Sequence, residues 1–323
     1  MPFRSGFVCI LGRPNAGKST LLNALVGQKL AIISPKPQTT RNRIQGILQV
    51  PQAKGRDAAQ IVLVDTPGVH KPDSSLGRKM MVEVREALEG CDLVLLIMDV
   101  SRKLDPRDEF AIDILKQSQT KTFLVLNKVD LLRKEKSRLL PLIEQYRSLH
   151  SFQQVIPISA LKRDGLDTLL HEVVAAMPAG PAYFPEDQVT DQPARFMAAE
   201  MIREQILLET EEEIPYSTSV VVEQFEEGAR LTRISAVIYC ERAGQKAILV
   251  GKQGQMLKKI GTGARLQIER MLDTKVYLGL FVKVQPGWRE SRTFVADLDW
   301  RRQLEHLMGE ISKEPGPASP PRK

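Results

Sequence analysis

The sequence predicts an α/β protein: a mostly parallel sheet flanked by helices, followed by a smaller α+β domain. Three observations predict it. The apolar run Phe7–Leu11 leads straight into Gly12-Arg13-Pro14-Asn15-Ala16-Gly17-Lys18-Ser19-Thr20, which opens into the amphipathic stretch Leu21–Leu25. Further apolar runs then alternate with helical stretches up to Ala176, the pattern of a parallel sheet with helical crossovers. After the break at Met177-Pro178-Ala179-Gly180-Pro181 the order changes, and a helix is followed by two adjacent strands. At 323 residues the chain is also too long for one typical domain. The expected boundaries are 1–177 for the first domain, 178–192 for a linker and 193–312 for the second domain. The Pro-rich end, 313–323, reads as a disordered tail.

The first element sets the chemistry. G-x-x-x-x-G-K-S between a strand and a helix is a phosphate-binding loop. Its glycines let backbone N–H groups converge on phosphate oxygens, and the helix N-terminus adds partial positive charge there. Gly12, Asn15, Ala16, Gly17, Lys18, Ser19 and Thr20 are therefore expected to line a nucleotide. Lys18 would reach the β- and γ-phosphates and the Ser19 hydroxyl would ligate Mg²⁺.

The polar stretch from Gln28 to Arg43 contains Pro35-Lys36-Pro37-Gln38-Thr39-Thr40-Arg41, where two prolines argue against regular structure. Taken alone it is a surface loop. Placed after a phosphate loop, it is where a threonine would close over Mg²⁺ and the γ-phosphate, and Thr40 is the first candidate, Thr39 the second. Ile44–Val50 alternates as a strand, residues 51–60 read as a hairpin turn, and Ile61–Val64 is a second strand ending in Asp65-Thr66-Pro67-Gly68. Asp65 at that strand end is placed to hold Mg²⁺ through water. Gly68 can offer its N–H to the γ-phosphate and pivot when the phosphate leaves. Lys18, Thr40 and Gly68 are thus the residues expected to act on the reacting phosphate. His70–Arg78 is polar and basic and reads as mobile.

Leu93–Val100 is a buried strand of the parallel type, Asp108–Lys116 a helix, and Thr122–Leu126 a strand ending in Asn127-Lys128-Val129-Asp130. Asp130 can accept from guanine N1–H and the exocyclic amine, donors that adenine lacks, so a wrong base would leave the carboxylate unpaired. Asn127 would brace the loops and Lys128 would lay its stem along the base. Gln154–Ile158 is the fifth parallel strand, followed by Ser159-Ala160, whose backbone N–H, at Ala160, could meet the guanine carbonyl. Gly165–Ala176 closes the domain as a helix.

In the second domain, Ala194–Glu209 carries apolar residues at helical period, and Ser219–Phe225 and Leu231–Cys240 read as strands. Then Gly251-Lys252-Gln253-Gly254 separates two helical stretches, and the strand Val276–Val284 follows. A G-x-x-G loop in this order can clamp single-stranded nucleic-acid backbone. Gly251, Lys252, Gln253, Gly254, Lys258, Lys259 and Arg265 are its candidate contacts. Trp288 reads equally as a stacking platform or a packing residue.

Composition agrees. The net charge is +7 and the pI about 9.3, which suits a polyanionic partner. The sign is unevenly spread: residues 186–227 hold twelve acidic against two basic side chains, and residues 240–292 hold eleven basic against four acidic. The second domain should therefore have an acidic and a basic side, with Glu209–Glu213 as solvated surface. Three cysteines, Cys9, Cys91 and Cys240, at unrelated spacings argue for a reducing compartment over a disulfide scaffold or metal site. No apolar run is long enough to span a bilayer, and the N-terminus has no signal-peptide layout, so a soluble protein is expected.

The phosphate loop, Gln38-Thr39-Thr40-Arg41 and Asp65-Thr66-Pro67-Gly68 together resemble the Era branch of bacterial GTPases. The second domain resembles a type II KH domain, and the two resemblances cover nearly the whole chain. They imply a GTP/GDP- and Mg²⁺-dependent GTPase with no side-chain catalyst at Val69 and slow intrinsic hydrolysis. A K⁺ ion held partly by Asn15 is also implied. The implied partners are the 3′ end of 16S ribosomal RNA and the 30S subunit during its assembly. The implied protein is a cytoplasmic monomer with peripheral association at the inner membrane. Three other readings stay open: a P-loop ATPase or kinase, a GTPase acting on transfer RNA, and an RNA-binding adaptor whose nucleotide site is structural.

Overall fold

In a computed structural model the described residues are 2–132, 137 and 139–311, the last six as backbone. The expected tail at 313–323 and the domain end at 312 lie outside them.

Six strands form the first sheet: β1 (Arg4–Leu11), β2 (Ile44–Val50), β3 (Ala59–Asp65), β4 (Leu93–Asp99), β5 (Lys121–Asn127) and β6 (Gln154–Ile158). Their spatial order is β2-β3-β1-β4-β5-β6, with β2 antiparallel to β3 and the other pairs parallel. Every residue of β3 and β4 is buried, which is why these runs are apolar without alternation. Helices α1 (Lys18–Val26) and α5 (Leu166–Ala176) cover one face through Leu21, Leu22, Leu169 and Val173. Helices α2 (Ser75–Glu89), α3 (Pro106–Leu115) and α4 (Leu139–Leu149) cover the other through Val84, Leu88, Ala111, Ile112 and Tyr146. The central position of β1 puts its following loop at the carboxyl edge, flanked by the ends of β3, β4 and β5, where α/β sheets bind ligands.

The expected mobile stretch His70–Arg78 is corrected in part. It contains the start of α2, whose N-cap Ser74 accepts the Gly77 N–H at 3.0 Å. The linker is also not slack. Ser5 N donates to the Pro178 carbonyl, the Gln60 amide exchanges hydrogen bonds with Tyr183 and Phe184, and Ile47 N of β2 donates to the Val189 carbonyl. Residues 178–184 are thus tied to β1 and β3, and residues 185–190 run along the outer edge of β2, meeting donors and acceptors that an edge strand otherwise exposes.

The second domain comprises α6 (Ala194–Glu209), α7 (Ile214–Ser217), β7 (Ser219–Glu226), β8 (Leu231–Cys240), α8 (Ala243–Val250), α9 (Gln255–Leu272), β9 (Lys275–Val284), α10 (Arg292–Asp297) and α11 (Trp300–Ile311). Its sheet runs β7-β8-β9, the first pair antiparallel and the second parallel. Ile202 and Ile206 of α6, Leu249 of α8 and Ile260, Ala264 and Ile268 of α9 pack with Ile234, Ala236 and Ile238 of β8. All three cysteines are free thiols, Cys9 and Cys240 buried and Cys91 half-buried.

Candidate nucleotide and nucleic-acid sites

The five motifs meet in one pocket. Pro14, Asn15, Gly17 to Thr20, Thr39, Thr40, Gly68, Asn127, Lys128, Asp130 and Ser159 contribute to the lining of a space of about 410 Å³ at the carboxyl edge of the sheet. Gly17 adopts φ 103°, and a Cβ there would lie 2.2 Å from the Asn127 side chain, so the loop can pass this point only as glycine. Gly68 is held for a different reason: a Cβ on it would lie 2.7 Å from the Pro14 ring. The two loops that face a phosphate therefore touch through glycine backbone.

Ser19, Thr40 and Asp65 come together. The Ser19 hydroxyl donates to Asp65 Oδ2 at 2.6 Å and lies 2.9 Å from Thr40 Oγ1, which donates to the same carboxylate oxygen at 3.2 Å. Asp65 is fully buried and its other oxygen, Oδ1, has no hydrogen-bond partner. Burial pushes its carboxyl up, against the opposing pull of Lys18 and the two hydroxyls. A buried carboxylate oxygen with nothing to accept from, beside two hydroxyls, fits a hard cation such as Mg²⁺, which takes oxygen ligands. Lys18 is buried as well, donates to the Arg13 carbonyl at 3.1 Å, and has its pKa lowered by desolvation with partial compensation from Asp65.

The base-facing loops brace one another. Asn127 donates to the Ala16 carbonyl at 2.8 Å and accepts the Ala160 N–H at 3.0 Å, tying the phosphate loop to the turn after β6. The Ala160 N–H, expected to face the base, is thus engaged inside the protein. Lys128 reaches the Asn15 carbonyl at 2.8 Å and Asp99 at 2.7 Å. Asp99 is a site residue that sequence reasoning missed. Burial raises its pKa, but hydrogen bonds from Lys128 and Ser101 outweigh this and leave it below the ordinary value. Arg13 was missed too: buried, it pairs with Asp105 at 2.8 Å and Asp108 at 3.4 Å and fastens the loop to the start of α3. Asn15 Nδ2 donates to the Pro35 carbonyl at 2.5 Å, joining the phosphate loop to the segment before Thr40. Val69 is fully buried in the core beside Val84 and presents no side chain to the pocket.

The segment carrying Thr40 is held from the other side by the second domain. Arg41 donates to the carbonyls of Thr218 at 2.6 Å and Pro215 at 3.2 Å. Arg203 of α6 donates to the Thr39 carbonyl, and Lys36 donates to the carbonyls of Leu207 and Thr210. Glu204 accepts from the Ile33 N–H at 3.0 Å and pairs with Lys29 at 2.5 Å. These partners lie far apart in sequence, and no spacing rule would have found them.

The G-x-x-G loop joins α8 to α9. Gly251 has φ 71° and Gly254 φ 77°, with Lys252 and Gln253 exposed between them. Lys258 is exposed on α9 and forms no ion pair among the described residues. Two expected contacts are partly committed elsewhere: Lys259 pairs with Glu209, and Arg265 with Glu269 at 2.8 Å. Glu209 is therefore not plain solvated surface, whereas Glu211–Glu213, beyond the end of α6, are exposed. Trp288 is a packing residue. It is fully buried against Leu76 and Met80 of α2, and its Nε1 donates to the Ser217 carbonyl at 2.9 Å.

Two family models match the chain, one described as 50S ribosome-binding GTPase over residues 7–128 and one as KH domain over residues 213–289. A protein named GTPase Era from Ruminiclostridium cellulolyticum is 48% identical over 302 residues, covering 93% of this chain and 99% of that protein. A GTPase Era from Syntrophus aciditrophicus is 51% identical over 291 residues, covering 90% and 92%. Among solved structures, an Era in complex with MgGDPNP and nucleotides 1506–1542 of 16S ribosomal RNA matches with a TM-score of 0.87 at 39% identity, covering 92% of this chain and 99% of that one. An Aquifex aeolicus Era variant bound to GDP and AlF4⁻ matches at 0.85 and 38%, with the same coverage.

Proposed function

The chain belongs to the Era family of GTPases, and on that premise we propose that it is a GTP-driven switch that binds the 3′ end of 16S ribosomal RNA and assists assembly of the 30S subunit. The observation that carries the reading is that one relative, similar across both domains, was solved with Mg-GDPNP and with 16S nucleotides 1506–1542 together. The 50S description belongs to a family model that reaches only residues 7–128, so the full-length relative is the better guide to the RNA.

In this reading Asp130 selects guanine, Asn127 and Lys128 hold the loops around it, and backbone N–H groups of Gly12 to Thr20 receive the phosphates. Lys18 stabilises charge on the γ-phosphate. Ser19, Thr40 and Asp65 hold Mg²⁺, which supplies charge neutralisation at the β- and γ-phosphates when bound. Asn15 is the side chain that a K⁺ ion would use. Gly251–Gly254 clamps the RNA backbone, with Lys252 and Lys258 as its exposed cations and Lys259 and Arg265 as partly neutralised ones. No described helix is long and apolar enough to cross a membrane, so any association with the inner membrane would be peripheral.

The switch is read through the contacts around Thr40. Thr40 faces Asp65 and Ser19, whereas its neighbours Thr39 and Arg41 are bonded to the second domain. Loss of the γ-phosphate would free Thr40, and movement there would strain the bonds of Arg41 and Arg203, shifting how the G-x-x-G domain is presented.

The test is a titration of the full chain onto an oligonucleotide matching the 3′ end of 16S ribosomal RNA, with a scrambled control, in GDP and in a non-hydrolysable GTP analogue at fixed salt. Tighter and sequence-selective binding with the analogue is expected. Equal affinity in both nucleotides would remove the switch, because a ligand that does not distinguish two states shifts neither.

A further inference from the structure

A cavity of about 50 Å³ lies at the junction of the two domains, away from the nucleotide pocket. Arg41, Leu76 and Lys79 line it from the GTPase side, and Phe196, Arg203 and Trp300 from the other. Its charged lining is unbalanced. Among the described residues, Arg41, Lys79, Arg195 and Arg203 line it with one carboxylate, Glu200. That carboxylate is already taken, since Arg203 holds it through Nε at 2.8 Å and Nη2 at 2.6 Å. Lys79 has Asp299 at 3.3 Å. Among the described residues, Arg195 and Arg41 have carbonyl oxygens as their only acceptors.

Among the described residues, three donors of the lining side chains have no acceptor: Arg41 Nε, Arg203 Nη1 and Trp300 Nε1. Arg41 is 6% exposed and Arg203 3%. A buried donor left unmade costs on the order of 1–3 kcal/mol, more when it is charged, so three on side chains that line one cavity favour acceptors inside it. The potential there is positive. Burial, then the neighbouring Arg203 and Arg289 charges, push the Arg41 guanidinium down to about 9, against the pull of Glu200. Water would satisfy the donors but leave the charge unbalanced. An oxyanion does both, through charge-assisted hydrogen bonds.

We propose that this cavity is a binding site for a small oxyanion, a phosphate or carboxylate group, held by Arg41 Nε, Arg203 Nη1 and Trp300 Nε1. The ligand would bridge the two domains one residue from Thr40. It would therefore favour the docked arrangement in which Arg41 and Arg203 are both engaged.

The chain has only two tryptophans, Trp288 and Trp300, so ¹⁹F NMR of the full-length 5-fluorotryptophan protein gives two signals, assigned by Trp300→Phe. With Mg²⁺ and GDP present, inorganic phosphate, acetate and chloride are titrated separately at matched ionic strength. The expected result is a saturable shift of the Trp300 signal with an oxyanion, an unmoved Trp288 signal, and no saturation with chloride. Saturation by phosphate alone assigns a phosphoryl group, and by acetate alone a carboxylate. Arg41→Lys should weaken the binding at least about tenfold, because Nε is lost with the fork. No saturable shift with either oxyanion, the same shift with chloride, or an Arg41→Lys chain with unchanged affinity would each overturn the proposal. If Arg41→Lys loses its Trp288 signal through misfolding, oxyanion-over-chloride selectivity in the parent chain decides.

Discussion

The nucleotide pocket and the G-x-x-G loop face their ligands on opposite plans. In the pocket, Lys18 and Asp65 are buried and Ser19, Thr40, Asn127 and Lys128 are each bonded to another loop of the same pocket. At the G-x-x-G loop, Lys252 and Lys258 stand exposed. The first is a pre-organised network in a low dielectric, where removing one member leaves another unsatisfied. The second is a set of solvated charges, whose contributions to a polyanion are small, additive and screened by salt. Single substitutions should therefore be severe in one region and graded in the other.

The largest effect should come from Asp130→Asn. Its GTP affinity should fall about 10³-fold with xanthine nucleotide gaining in turn, because discrimination rests on a donor–acceptor match. Competition binding with GTP and XTP measures this, and unchanged GTP affinity would restore the ATPase or kinase reading. Lys18→Ala should lower GTP turnover about 10²-fold or more, as loss of a preorganised charge does. A chain that still turned over at the parent rate would break the contrast at its centre. Between the two regions, Arg203→Ala frees the Thr39 carbonyl. It should shrink the GTP-to-GDP ratio of RNA affinities about fivefold or more, within the usual range of coupling energies, while leaving nucleotide affinity nearly unchanged. The smallest effects belong to the exposed lysines. Lys258→Ala should weaken RNA binding a few-fold and lower the salt slope by about 0.7 per lost contact. Lys259→Ala should do less, since Glu209 already holds that ammonium. Equal effects at both positions would mean that the Glu209 pair opens when RNA binds.

The same contrast explains what could be read from the sequence. Strand–loop–helix context made Lys18, Ser19, Asp65, Asn127 and Asp130 legible, and the structure brings four of them to one pocket, with Asp65 buried behind it on Ser19 and Thr40. Thr40 was legible by its place between two motifs. Arg13, Arg41, Asp99 and Arg203 were not, because each takes its meaning from a partner on another element: Asp105, Thr218, Lys128 and Thr39. Trp288 could not be assigned because burial against α2 is a tertiary fact. The start of α2 did leave a signal. Ser74 as N-cap, with Leu76, Met80, Val84 and Leu88 four residues apart, marks a helix, but the polar residues before it read as a loop.

The pinned segment 178–190 bears on how the molecule can be divided. Cutting after Met177 would leave β2 with an open edge where the Ile47 N–H had a partner, and Gln60 without Tyr183 and Phe184. An uncovered edge strand recruits other chains. A fragment of residues 1–177 should therefore precipitate where a fragment of residues 1–192 stays monodisperse, and a protease should find few cleavable bonds in between. The smallest portable piece of this GTPase carries its tether with it.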